Sequence, residues 1–256
     1  MPSIAAMINE IERNEFHIAL TRLKNMLAGL ILFAGTMLLS LWAMWRVKSV
    51  YSHYSQMRCV SGVTGAQVAQ AILTRSQISD VQIVAANELM GDHYDPSKKR
   101  LVFSEANYYG QSPAALGVAA HECGHAIQHQ QSYAPLNARM MAIGATNFAS
   151  QIVMWLPLLG LFTGIAWGKI GILMALAWGV IMLFNLITLP VEFDASRRAK
   201  ALLNDMGYIG TAEEMIGVKR VLNAAGWTYV AAFVTSLAYF LWHLLPLLAG
   251  GRRSQD

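Results

Sequence analysis

Charged residues are scarce in this chain. Asp, Glu, Lys and Arg make up 13% of its 256 residues, and 55% are apolar, whereas soluble domains carry about 25% charged residues. An ordinary soluble domain is therefore excluded, and the composition predicts a membrane protein. The net charge of +4 comes with no basic-aromatic motif of the kind that binds DNA or RNA, so we expect no nucleic-acid partner.

Cysteine is also rare. The chain has only Cys59 and Cys123, which excludes a disulfide framework of the kind seen in small secreted proteins. Each is expected to be a small buried apolar residue. The chain also lacks internal repeats and low-complexity segments, which excludes a repeat architecture such as a solenoid.

Four apolar windows are long enough to cross a bilayer, which takes about 20 residues per helix. The charged stretch before the first window and the bulky residues at its end predict a retained anchor and not a cleaved signal peptide. The predicted organisation is an amphipathic extension (1–25), a first span (26–45), a catalytic polar segment (46–146), two spans (147–167 and 170–189), a second polar segment (190–226) and a last span (227–249).

The two middle spans are separated only by Gly168 and Lys169, which predicts a tight membrane hairpin. A hairpin returns the chain to the side it left, so both polar segments face one compartment. That side holds 13 of the 19 Lys and Arg residues. The positive-inside rule then predicts a cytosolic site.

Within the first polar segment, Thr64 is a suitable N-cap for a helix, and "DVQIVAA" is typical of a short strand. Asp95-Pro96-Ser97 predicts a turn, which would make "RLVFSE" the second strand of a hairpin. Ser112 and Pro113 then predict the start of another helix. The expected fold is mainly α: four transmembrane helices with a small α+β region that contains a β-hairpin.

That last helix carries "HECGH", with His121 and His125 four residues apart. Both rings therefore project from one face and can bind a single cation. Glu122, beside the first histidine, is placed to take a proton from a zinc-bound water, the general-base role of zinc peptidases. The pattern falls on a capped helix after a strand hairpin, which is the setting that this chemistry requires.

A catalytic zinc site takes three protein ligands and leaves one position open. The second polar segment offers the third ligand in "LPVEFDASRRAKALLND". Pro190 is expected to interrupt the preceding span, and Glu192 falls in the first turn of the helix that follows. Small residues on the same face, including Ser196, would let this helix approach the HECGH helix closely. We therefore expect one Zn²⁺ per chain, held by His121, His125 and Glu192.

The stretches "YDPSKKRLVFSEANYYGQSPAALGVAAHECGHAIQHQQSYAPLNAR" and "LPVEFDASRRAKALL" resemble the bacterial membrane neutral zinc metallopeptidases often called YugP-like. In outline the chain is also similar to membrane gluzincins of the HtpX type. The resemblance covers residues 47 to 239 and implies a zinc-dependent endopeptidase with the same ligands and base. Gluzincins have an Asp four residues after the ligand glutamate, where this chain has Ser196. A hydroxyl there can hold a histidine ring in position but adds no negative charge.

A stabiliser of the transition state is also needed, and spacing does not single one out. His129 is one turn beyond His125, so it is expected to support the site and not to bind metal. Arg197 and Arg198 could bind a substrate carbonyl or lipid headgroups. Substrate backbone could add as a strand at Leu101–Glu105. The remaining candidates are His93, Tyr108 and Tyr109.

The sequence therefore predicts an integral membrane zinc endopeptidase that cleaves membrane or membrane-proximal polypeptides and contacts the bilayer. Two alternatives remain open. The same ligands could serve a membrane hydrolase that acts on a different bond, or the protein could be a scaffold that keeps a structural zinc.

Overall fold

The fold was obtained as a computed structural model that describes residues 4–86, 91–163 and 167–250. Within these ranges the chain is mainly helical, with one small sheet. The chain divides after Leu41 into two compact units, and every contact discussed below lies within the second. The elements are α1 (Ile4–Ser55), α2 (Gly65–Arg75), β1 (Gln82–Ala86), β2 (His93–Asp95), β3 (Arg100–Ser104), α3 (Glu105–Tyr108), α4 (Pro113–Gln130), α5 (Ala134–Thr163), α6 (Trp167–Asp205) and α7 (Ala212–Gly250).

Among the described residues, four helices are long and apolar enough to cross a membrane, which confirms the four predicted spans. The qualifying stretches are Arg13–Ser55, Ala134–Gly160, Ile170–Asp205 and Ala212–Leu248. Helix α1 is continuous from Ile4 to Ser55, so the N-terminal extension and the first span share one helix. The protein is thus an integral membrane protein with four helical spans.

Two details differ from the sequence prediction. Gly168 and Lys169 lie in the first turn of α6 and not in the connection, because α5 ends at Thr163 and α6 begins at Trp167. Lys169 is the one charged residue between the two apolar windows, so hydropathy places the connection there and not at the helix end. Pro190 does not interrupt the span either, since α6 continues through it to Asp205. A long helix tolerates one lost backbone hydrogen bond when its neighbours pack against it.

The helix starts follow the predicted caps. Thr64 accepts a hydrogen bond from the backbone N–H of Gln67, and the Gln67 side chain bonds back to the N-cap. Ser112 accepts from the backbone N–H of Ala115, with Pro113 at the first position of α4. Both arrangements satisfy backbone donors that have no partner inside the helix.

The sheet has the strand order β1-β3-β2. Strands β2 and β3 form the predicted antiparallel hairpin, in which Tyr94 faces Leu101. Strand β1 pairs in parallel on the other side of β3. The predicted substrate edge at Leu101–Glu105 is therefore misplaced: β3 is the central strand, with a neighbour on each side, and Glu105 begins α3.

Helix α4 lies at the centre of the fold, and most of its residues are buried. It packs in one hydrophobic core with α2, β3, α6 and α7. Cys59 and Cys123 are both free thiols buried in this core, as expected. A central α4 places its polar side chains inside the protein, where each needs a partner.

Candidate metal centre

The two histidines of the HECGH motif lie side by side on α4. The ring centroids of His121 and His125 are 4.8 Å apart and the ring planes are nearly perpendicular. Four residues along a helix place side chains one above the other on one face, so the arrangement follows directly from the spacing. Both side chains are about nine-tenths shielded from solvent.

Helix α6 comes very close to α4 at Gly124. A Cβ atom on this glycine would lie 2.9 Å from the carbonyl oxygen of Ala195 and 3.0 Å from its Cα. Only a residue without a side chain fits such a backbone contact. This approach brings Glu192, less than one turn before Ala195, against the two histidines.

Glu192 completes a cluster of three possible ligands. One carboxylate oxygen, Oε2, lies 3.3 Å from His121 Nε2 and 3.6 Å from His125 Nε2. The ligand atoms of all three residues lie within 4.8 Å of one another.

This cluster fits zinc. Two ligand atoms about 2.1 Å from a tetrahedral zinc ion lie about 3.4 Å from each other, close to the separations found here. Within the described part of the chain, no other His, Cys, Asp or Glu joins the cluster. Three protein ligands with an open fourth position are typical of catalytic zinc sites, whereas structural sites are closed by four.

Each histidine is held through its other ring nitrogen. The Nδ1 atom of His125 lies 3.0 Å from Gln128 Oε1, which can only accept, so Nδ1 carries the proton. Ser196 Oγ lies 3.1 Å from His121 Nδ1. The first contact sets the tautomer of His125 that leaves Nε2 free to bind metal, and the Ser196 hydroxyl can accept from His121 Nδ1 in the same tautomer.

Gln128 was not predicted from the sequence. It is fully buried, and its amide also donates to the carbonyl of Val191 and to Asp194 at 2.8 and 2.9 Å. One signal was available, because Gln128 follows His125 by three residues and so shares its helix face. Its partners on α6 could not be read from that spacing.

Arg139 and Tyr229 are two further site residues that the sequence did not indicate. Arg139 on α5 donates to the second oxygen of Glu192 at 2.7 Å. Tyr229 on α7 lies within hydrogen-bonding reach of the same carboxylate. Three helices distant in sequence therefore meet at Glu192.

The base predicted at Glu122 is also buried, at 8% exposure. The backbone N–H of Tyr94 on β2 donates to its Oε2 at 2.9 Å, which fixes the carboxylate beside the histidines. Burial raises the pKa of Glu122, and the imidazoles of His121 and His125 oppose this shift only in part. A carboxylate with a raised pKa is better suited to accept a proton and later release it.

A cleft of about 260 Å³ opens onto these groups. Its polar wall contains Glu122, His125, Arg139, Glu192 and Tyr229. The other lining residues are 92–94 and Pro96 of the β2 region and three apolar residues of α5. The cleft is thus bounded by the edge of the sheet on one side and by a membrane helix on another.

The other predicted residues lie around this cleft or away from it. His93 lines it, and its Nδ1 lies 3.0 Å from the carbonyl of Gly91. His129 is outside the ligand cluster, with its Nδ1 2.9 Å from the Tyr94 hydroxyl. Tyr108 and Tyr109 stack edge to face and do not line the cleft.

Arg197 and Arg198 both pair with Asp194 on their own helix. Arg198 also donates to Gln131 at 2.8 Å. Neither side chain lines the cleft. The structure therefore holds these two arginines against Asp194 and not against the histidines.

Comparisons with known proteins agree with this geometry. A family described as "Putative neutral zinc metallopeptidase" matches residues 29–248. The chain is 42% identical over 212 residues to a Bacillus subtilis (strain 168) protein named "Putative membrane protease YugP", and the aligned region covers 83% of this chain and 93% of that protein. No solved structure matches the chain. Because the match extends over most of the sequence, the chain belongs to the neutral zinc metallopeptidase family.

Proposed function

We propose that this protein is a zinc-dependent endopeptidase that cleaves membrane or membrane-proximal proteins at the cleft between α4, α6 and β2. The observation that carries the proposal is the cluster of His121, His125 and Glu192 with a buried carboxylate, Glu122, beside it. Three ligands in an open cleft favour catalysis over the alternative of a structural zinc, which needs a fourth protein ligand.

The ligand atoms that would hold the metal are His121 Nε2, His125 Nε2 and Glu192 Oε2. Zinc bound there would polarise the scissile carbonyl and make a water molecule acidic near neutral pH. Ser196 and Gln128 keep the two imidazoles oriented, and Arg139 fixes the second oxygen of Glu192.

Glu122 acts as the general base. Its carboxylate takes a proton from the attacking water and passes it to the amine that leaves when the peptide bond breaks. The hydrogen bond from the Tyr94 backbone leaves the other oxygen, Oε1, free for this transfer. The base therefore depends on β2 as well as on α4.

Tyr229 is our candidate for stabilising the transition state. Its side chain lines the cleft next to Glu122 and Glu192, and a phenol is a hydrogen-bond donor. A donor aimed at the developing negative charge on the carbonyl oxygen lowers the barrier.

Substrate backbone is proposed to pair with β2 and not with β3. Strand β2 is an edge strand, and the Tyr94 N–H on its outer side points towards Glu122. An extended peptide added along this edge would pass directly beside the metal ligands. This placement replaces the misplaced edge at Leu101–Glu105.

Membrane proteins are the proposed substrate class because α5 forms part of the cleft. The side chains of Leu136, Met140 and Ile143 line it, and they belong to a helix that is apolar enough to span the bilayer. A segment leaving the membrane could reach the cleft along this wall. The excess of Lys and Arg on the same side supports a cytosolic site in a bacterial inner membrane.

Glu122→Gln tests the proposal. The zinc-loaded wild-type protein in detergent should cleave casein, and the variant should bind one zinc and fold but lose cleavage by at least about 100-fold. Glu105→Gln makes the same carboxyl-to-amide change at an exposed residue of α3 and should remain active. Cleavage that survives in Glu122→Gln would show that the base is another residue. A wild-type protein that holds zinc but cleaves no polypeptide would favour a scaffold or another hydrolase.

A further inference from the structure

A second cavity lies between α1, α6 and α7 and shares no lining residue with the cleft of the metal site. Its volume is about 390 Å³, larger than that of the cleft. We call it the basic pocket, because two cationic side chains, Arg46 and Lys200, line it and no carboxylate does. Its other lining residues are Phe193, Ser196, Leu222, Asn223, Gly226, Trp227 and Val230.

The two cations have no anionic partner in the described part of the chain. Neither Arg46 nor Lys200 takes part in an ion pair there. The Nε atom of Arg46 is buried and lacks a hydrogen-bond partner. A buried donor without a partner costs free energy, so such a group points to a ligand that satisfies it.

The guanidinium of Arg46 is held in place by aromatic rings. It lies over the ring of Trp42 at 5.4 Å from the centroid, and Trp42 meets Trp227 edge to face at 5.8 Å. A cation-π contact positions the charge without neutralising it. The donors of Arg46 remain available to an anion.

All three helices contribute to the pocket at the boundary of the membrane. Arg46 directly follows the first predicted span, Trp227 begins the last one, and Phe193 lies four residues beyond the third. The indole rings of Trp42 and Trp227 at this level are typical of the headgroup region. An occupant would therefore have its charge at the headgroups and its remainder towards the acyl chains.

The apolar residues of the pocket fit such an occupant. Phe193 and Trp227 are 48% and 44% exposed beside the two cations. A ligand that places an anionic group on Arg46 and Lys200 and an apolar body on these rings is amphipathic. We propose that the basic pocket binds the phosphate group of an anionic phospholipid. Ser196 lines the pocket and also bonds His121, so the bound lipid would sit one side chain away from the metal centre.

Lipid binding by the delipidated protein in detergent tests the proposal independently of peptidase activity. Native mass spectrometry would follow the binding of phosphatidylglycerol and of phosphatidylcholine with the same acyl chains. We expect the wild type to bind one phosphatidylglycerol roughly tenfold more tightly than phosphatidylcholine, given two cations at the site. In Arg46→Gln/Lys200→Gln this preference should disappear.

The matched control is Lys48→Gln/Arg220→Gln, which removes two exposed cations, one from α1 and one from α7, but none from the pocket. It should keep the preference. If the double pocket variant does not fold, Lys200→Gln and Lys200→Arg form a second pair, of which only the arginine variant should retain binding. If the pocket variants and the control variant preferred phosphatidylglycerol over phosphatidylcholine to the same extent, the proposal would be overturned.

Competition separates a lipid from a soluble phosphate ester or an acidic peptide. Glycerol 3-phosphate and a short glutamate-rich peptide should leave bound phosphatidylglycerol in place when present at concentrations equal to that of the lipid. Displacement by either would show that the pocket takes that ligand, and the lipid assignment would be wrong.

Discussion

Gln128 holds three groups of the metal centre together without being a metal ligand. It accepts from His125 and donates to α6 at two points, one of which is Asp194. Gln128→Leu keeps a similar volume but leaves the His125 ring without its acceptor and removes one of the three side chains that donate to Asp194. Losing such a supporting contact weakens metal binding by about 10- to 100-fold. Zinc affinity measured by competition with a chelator should fall by that factor.

Gln130→Leu is the matched control. This residue is on the same helix, two positions later, and is exposed to solvent. Its zinc affinity should equal that of the wild type. Unchanged affinity in Gln128→Leu would mean that the ring of His125 is held by the helix alone.

Tyr229→Phe should separate catalysis from binding. Removing a donor to the developing oxyanion lowers kcat by about 100-fold or more, while the substrate and zinc still bind. Steady-state cleavage of a peptide substrate, with zinc content measured in parallel, would reveal this split. Tyr208→Phe removes a hydroxyl from a half-buried core tyrosine outside the cleft and should leave kcat unchanged. A higher KM with normal kcat in Tyr229→Phe would instead assign Tyr229 to substrate binding.

The residues of the centre differ in how far the sequence could predict them. His121, Glu122 and His125 lie within five positions of one helix, so the pattern itself fixes their geometry. Glu192 followed from a topological argument about the side of the membrane. Arg139 and Tyr229 could not be predicted from the sequence, because their contact with Glu192 depends on how three separate helices pack.

At the scale of elements, the contact between α4 and α6 decides whether the three ligands meet. Gly124→Ala would place a methyl group 2.9 Å from the Ala195 carbonyl oxygen, and neither backbone can yield without moving a helix. If α4 and α6 move apart by a few tenths of an ångström at this point, Glu192 moves away from both histidines. We therefore expect zinc affinity and peptidase activity to fall together, by at least about tenfold.

Gly117→Ala is the matched control for this substitution. It introduces the same methyl group on the same helix, where the nearest atom, on Val218, would be 3.6 Å away. That is an ordinary van der Waals contact, and alanine favours the helix by about 1 kcal/mol over glycine. Thermal unfolding should show an equal or higher Tm for Gly117→Ala. Normal zinc binding by Gly124→Ala would mean that the helices can adjust without disturbing the ligands.

Structural elements could be predicted from the sequence where they depend on residues close together in the chain. The caps at Thr64 and Ser112 and the β2-β3 hairpin depend on neighbouring residues, and each formed as expected. The parallel pairing of β1 with β3 is a longer-range contact, and it is what places β3 in the centre of the sheet. The edge available to a substrate therefore could not be located from the strand sequence alone.

At the scale of the whole molecule, the metal centre requires both polar segments on one side of the membrane. Glu192 reaches His121 and His125 only because α5 and α6 carry the chain away and back. The meeting of these residues therefore supports the predicted hairpin topology. The distribution of Lys and Arg predicts that this side is the cytosol.

Cysteine labelling in bacterial cells would test this orientation. The two native cysteines, Cys59 and Cys123, should not react with the label because both are buried. Burial also raises the pKa of Cys59 to about 12, so its unreactive protonated form dominates at neutral pH. A membrane-impermeant maleimide should label Lys169→Cys in intact spheroplasts. It should label Ser97→Cys, at an exposed turn of the active-site side, only after the membrane is permeabilised. Both variants should react fully in detergent, which controls for local accessibility. Labelling of Ser97→Cys but not Lys169→Cys in intact spheroplasts would place the metal centre outside the cytosol, and the substrates would then have to be sought among exported proteins.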